Sequence, residues 1–198
     1  MKRLAAAAGA VLFVLAGSAG AHVVADPRVV VLVPTPKGLE VRINEMSQPG
    51  EESIALRRRY DGDRDGKLDD SESSDLASFL VARATINLKL LQNGKPLALK
   101  ERSRALAGTR LGVGSSDSLS IDIVLEAAPV ADKRHVALSV IDSRQDGHAV
   151  KLAVLADGVT ISRTSLGELG ADSTVVTGVS LDRGVVEALE FDLPASPK

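Results

Sequence analysis

The sequence predicts a mainly β protein: a β-sandwich-like domain with an inserted helix–loop–helix at 48–83. Three observations carry this expectation. Short segments in which apolar and polar residues alternate recur along the chain, separated by Gly, Asp and Asn turns, the pattern of strands with one buried face. Between 48 and 83 the apolar spacing changes from two to the three-and-four spacing of a helix. The 198 residues include no cysteine, no tryptophan, three Phe and one Tyr. The core must therefore be built of Val, Leu, Ile and Ala, and no disulfide can staple it.

The chain opens with Lys2 and Arg3, then an unbroken run of apolar residues and glycine from Leu4 to Ala16, then the small residues Gly17 to Ala21. Ala19-Gly20-Ala21 has the form of a small-residue cleavage site, so 1–21 reads as a secretory signal peptide that leaves His22 as the first mature residue. This predicts an exported protein, periplasmic or secreted. No later run reaches about 18 apolar residues, so no membrane span is expected in the mature chain, 22–198. Against 26 Asp and Glu stand 24 Lys and Arg, a formal charge of −2. That balance gives no reason to expect a nucleic-acid partner.

Taken in order, Arg28 to Val33 is a valine-rich apolar run between Pro27 and Pro34 and reads as a buried strand. Residues 34–38 form a turn. Leu39, Val41 and Ile43 then alternate with Glu40, Arg42 and Asn44 as a half-buried strand. Ser47 is a candidate helix cap, with Pro49 in the first turn and Glu51 and Glu52 at the positive end. That helix extends to about Tyr60. Beyond an acidic loop, Leu76, Ala77, Phe79 and Leu80 form the stripe of a second helix. From Ala84 the period returns to two, with Ile86, Leu88 and Leu90 facing one way, and Asn93-Gly94 is a favoured two-residue hairpin turn. Leu97 and Leu99 continue the partner strand. Residues 102–118, rich in Gly, Ser and Arg, read as a long loop. Further strands centre on Leu119 to Leu125, Val136 to Val140, Val150 to Val154, Val159 to Ile161, Val175 to Leu181 and Leu189 to Leu193. Ala127 to Lys133 is the candidate internal boundary.

The acidic loop carries the chemistry. Residues 61–72 read Asp-Gly-Asp-Arg-Asp-Gly-Lys-Leu-Asp-Asp-Ser-Glu and fit D-x-[DN]-x-[DN]-G-x5-E at every constrained position. Calcium takes six to eight oxygen ligands. Asp61, Asp63 and Asp65 can aim short carboxylates at one centre, and Gly66 permits the sharp turn that folds the loop. Lys67 would offer its backbone carbonyl, Asp69 a carboxylate directly or through water, and Glu72 a longer arm with both oxygens. The candidate metal ligands are thus Asp61, Asp63, Asp65, Lys67, Asp69 and Glu72, and the expected ion is Ca2+. Leu68 is the apolar residue that packs inward.

Over residues 50–82 the sequence resembles the EF-hand family. The resemblance implies apolar helix positions one, four, five and eight residues before the loop. Tyr60 and Leu56 match them, whereas Arg57 and Ser53 do not. After the loop Leu76, Ala77 and Leu80 match and Ser73 does not. It also implies pairing of hands, yet the nearest second loop, Asp142 to Gly147, reads only as a turn. The unpaired hand is therefore expected to rest on the β domain. More broadly, a terminus beginning Ala-His, strands, one acidic loop and an Asn-Gly hairpin together resemble the exported domain of HupE/UreJ-like proteins, which are associated with nickel transport. Their membrane helices have no counterpart in this sequence, so a transport role does not carry over.

His22, His135 and His148 are the three histidines. A free amine beside the His22 imidazole could chelate copper. Arg57-Arg58-Arg59 reads as a solvated helix face balancing the carboxylates, and Lys100, Arg102, Arg104 and Arg110 as a solvated loop. No motif supplies a nucleophile with a base, so no enzyme activity is expected. The expected function is an exported calcium-binding protein in which a single EF-hand stabilises a β-rich domain. Two alternatives stay open: a calcium-dependent adhesion or interaction module with an unknown protein partner, or a periplasmic copper- or nickel-binding protein using the N-terminal histidine.

Overall fold

The computed structural model describes residues 28–36, 38–86, 88–127, 135–142, 150–164, 171, 175–181 and 186–192. The expected signal peptide, His22, His148 and most of the expected boundary at 127–133 lie outside them.

Arg28–Thr35 (β1) and Gly38–Met46 (β2) form a tight antiparallel hairpin in which Thr35 stands opposite Gly38. Every second residue of β2 is buried, as its alternating sequence requires. β1 has β2 on one side and Val150–Leu155 (β8), which runs parallel to it, on the other, and it is buried on both faces: Val30 and Leu32 belong to the main hydrophobic cluster, while Val31 and Val33 pack with Ala153 of β8 in a second one. Such two-faced burial accounts for its continuous apolar run.

Two helices follow, Glu51–Tyr60 (α1) and Asp70–Thr85 (α2). Their limits differ from expectation at both ends. Ser47 does not cap α1, which begins after Gly50 at φ +97°. Ser47 is instead buried, its hydroxyl 2.6 Å from the Ser53 hydroxyl and its N–H donating to the Leu119 carbonyl. At the other end α2 continues through Ala84, which is buried, to Thr85, and Ile86 is its C-cap, 72% exposed. Leu76, Ala77, Leu80 and Ala84 form one buried helical stripe. Ala84 and Ile86 fitted a two-residue alternation only because Leu88 and Leu90 follow them.

Leu88–Gln92 (β3) and Lys95–Pro96 (β4) make the expected hairpin, with Asn93 and Gly94 at φ +51° and +76°. β4 is shorter than predicted. Leu97 adds a single bond, its N–H donating to the Leu90 carbonyl, before the chain leaves this sheet. The predicted loop at 102–118 is also corrected, because Lys100–Ala107 is a strand (β5) paired with Ser120–Ala127 (β6). β5 lies at a sheet edge and is exposed on both faces, so it has no apolar alternation to read. Its Lys, Glu and Arg residues are those that keep an open edge from pairing with another chain. Residues 108–119 remain as the connection.

His135–Asp142 (β7), β8, Thr160–Thr164 (β9), Val175–Leu181 (β10) and Val186–Asp192 (β11) complete the described strands. One sheet has the order β10-β8-β1-β2-β6-β5 and the other β4-β3-β7-β11-β9. The first is mixed through its parallel β1–β8 pair, and the pairs of the second are all antiparallel. A single hydrophobic cluster draws on both sheets and both helices, including Val30, Ile43, Leu80, Leu90, Ile123 and Ile161. The protein is mainly β, and the helices and the loop between them share its core.

Candidate metal centre

Asp61 ends α1: its N–H donates to the Arg57 carbonyl at 3.0 Å. From there the chain turns on itself through Arg64 at φ +62° and Gly66 at φ +86°. Each aspartate braces the peptide ahead of it. Asp63 Oδ1 accepts from Asp65 N at 3.0 Å, Asp65 Oδ1 from Lys67 N at 2.8 Å, and Asp61 Oδ2 from Gly66 N at 3.2 Å. The Asp63 and Asp65 turns follow from the short carboxylate arm, which reaches a backbone N–H two residues on, while Asp61 reaches across the loop to an N–H five residues on.

The result is convergence. One oxygen from each of Asp61, Asp63 and Asp65 lies within 4.8 Å of the other two. Asp63 and Asp65 are exposed, whereas Asp61 is 9% exposed. Its second oxygen, Oδ1, is buried and has no hydrogen-bond partner among the described residues. A buried carboxylate oxygen without a donor is costly unless a cation satisfies it. Three carboxylates at this spacing also repel one another, and the donor set is entirely hard oxygen. The triad therefore fits a hard cation.

The other candidate ligands take different positions. Glu72 reaches back across the loop: Oε1 accepts from Gly62 N at 2.6 Å and Asp63 N at 3.4 Å, and Oε2 from Asp69 N at 3.0 Å. Asp69 caps α2, accepting from Glu72 N at 2.8 Å, so the two residues form a reciprocal capping box. The Lys67 side chain is exposed, while Leu68 is half-buried against the core together with Tyr60 and Phe79. Thus Asp61, Asp63 and Asp65 come together directly, and Asp69 and Glu72 close the loop behind them.

The triple-arginine face is not wholly solvated. Arg58 and Arg59 are exposed, but Arg57 is fully buried. Its Nη1 donates to the carbonyls of Ser115 and Asp117 at 2.8 and 2.9 Å, and its Nη2 to the Gly108 carbonyl at 3.1 Å. Burial pushes the guanidinium below its ordinary pKa, and nearby Asp117 opposes that shift. A signal for this burial existed in the sequence. Arg57 and Ser53 occupy helix positions where apolar residues were expected, which are inward positions, and both are buried. Arg83 ties the helices to the sheet, pairing with Glu45 of β2 at 3.1 Å and Glu52 of α1 at 2.7 Å. His135 opens β7 opposite Asp192 in the backbone register.

No protein-family model matches the chain, and no curated protein matches it.

Proposed function

We propose that the chain is a calcium-binding protein in which one EF-hand, formed by α1, the loop at 61–72 and α2, stabilises a β-sandwich-like domain. The observation that carries this reading is the convergence of the Asp61, Asp63 and Asp65 carboxylates, together with a buried Asp61 oxygen that has no hydrogen-bond partner among the described residues. Two facts add to it. The loop follows the calcium-loop pattern at every constrained position, and it is bounded by helices whose buried faces belong to the main core. Asp61, Asp63, Asp65, the Lys67 carbonyl, Asp69 and Glu72 would hold the ion. Calcium supplies positive charge to carboxylates that otherwise repel. Because the helices share the core of the sheets, ordering of the loop stabilises the domain rather than an appendage. Export, with cleavage before His22, belongs to the same reading.

Thermal melts in calcium and in chelator test the stapling role. Calcium raises the melting temperature of the whole chain, and Asp61→Ala removes the rise. A melt that ignores calcium contradicts the role.

A further inference from the structure

We propose that the β5–β6 connection, residues 108–119, is a strap that completes the calcium site, so that strap docking and calcium binding reinforce each other. This inference rests on the calcium reading above.

The strap is tied at both ends and near its middle to the helix–loop–helix and to the segment that leads into it. Arg57 grips the carbonyls of Gly108, Ser115 and Asp117. Gly50 N donates to Ser116 O at 2.7 Å, Ser47 N to Leu119 O at 2.9 Å, and Leu119 N to the Ser47 hydroxyl at 2.9 Å. Gly108, at φ +89°, has no room for a side chain: a Cβ there would stand 2.9 Å from the Ser118 carbonyl and 3.3 Å from Arg57 Nη2. These anchors hold the middle of the strap over the acidic loop, where Val113 N donates to Gly66 O at 3.0 Å.

That single bond falls on a peptide the site depends on. The Gly66–Lys67 peptide accepts from the strap through its C=O and donates through its N–H to Asp65 Oδ1 at 2.8 Å. The N–H of Gly66 itself donates to Asp61 Oδ2 at 3.2 Å. Fixing this peptide plane therefore fixes the donor that orients Asp65, and it restrains the adjoining Asp65–Gly66 peptide, whose N–H orients Asp61. A carbonyl that accepts a hydrogen bond also polarises the N–H of the same amide. The strap is thus a positioning element. It supplies no ligand but holds the peptide that aims Asp65 and adjoins the one that aims Asp61. Whatever factor the strap contributes to calcium affinity, calcium must return to strap docking.

The test uses the full chain, with calcium chloride as the probe. Val113→Pro removes the one donor, and Val113→Ala keeps it. Calorimetry is expected to show Val113→Pro binding calcium roughly three- to tenfold more weakly, the worth of one hydrogen bond, with Val113→Ala unchanged. Hydrogen exchange on the unsubstituted chain is expected to show the Val113 and Ser115 amides slowed severalfold by calcium. If calcium binds but neither affinity nor exchange responds in this way, the strap proposal is overturned while the calcium reading stands. If the unsubstituted chain binds no calcium, the calcium reading itself fails and the proposal fails with it. Should Val113→Pro not fold, the exchange measurement alone decides.

Discussion

Asp61 and Glu72 set the terms at the scale of single residues. Asp61 holds one carboxylate oxygen against Gly66 N and leaves the other buried with no donor among the described residues. Glu72 spends its carboxylate on the N–H groups of Gly62, Asp63 and Asp69, which closes the loop end to end. Glu72→Gln removes a charge and halves the acceptor capacity there. Calcium affinity is expected to fall roughly tenfold or more. Lys67→Ala is expected to change it little, because the exposed Lys67 side chain makes no part of the site. Calorimetric titration of both variants checks the order. The positions of these residues were legible because the loop is local: each carboxylate meets a backbone group within a few residues, or up to ten for Glu72. The inward position of Arg57 was legible in the helix spacing, but its partners were not, since the carbonyls it binds lie 51 to 60 positions away. No local pattern reports a partner at that distance.

The same contrast holds for the elements. β1, β2 and the Asn93-Gly94 hairpin could be read from periodicity and turn chemistry because each has a buried face or a turn needing positive φ. β5 could not, because an exposed edge strand needs neither. The start of α1 was misplaced because Ser47 looks like a cap in sequence but satisfies Leu119 in space. The joint between α1 and the strap is the element-scale feature that stability should depend on. Replacing Arg57 with Met keeps much of the side-chain volume but strands the carbonyls of Gly108, Ser115 and Asp117. Arg57→Met is expected to cost about 3 kcal/mol of folding free energy, the penalty for leaving such buried groups unmet. Urea denaturation measures it, and a loss below about 0.5 kcal/mol, the range of an ordinary surface substitution, would mean the strap is held by other contacts.

Across the whole molecule, the helices belong to the same hydrophobic cluster as the sheets, so loop and domain are expected to melt together. A site with this many carboxylates is expected to bind calcium with a Kd on the order of 10 μM. At about 1 mM calcium, a hundredfold excess, linkage adds ~2.7 kcal/mol to stability. At roughly 2–4 °C per kcal/mol for a chain of this size, the melting temperature is expected to rise by about 5–10 °C over chelator. A scanning calorimetry trace with two separate transitions, only one of them responsive to calcium, would instead make the helix–loop–helix an independent unit.

The most direct measurement is a calcium titration of the full chain and of Asp61→Ala by isothermal calorimetry. We expect one calcium per chain for the unsubstituted protein, with a Kd on the order of 10 μM, and no detectable binding by Asp61→Ala, which lacks one of the three converging carboxylates. No binding by the unsubstituted chain, or equal binding by the two proteins, would contradict this expectation.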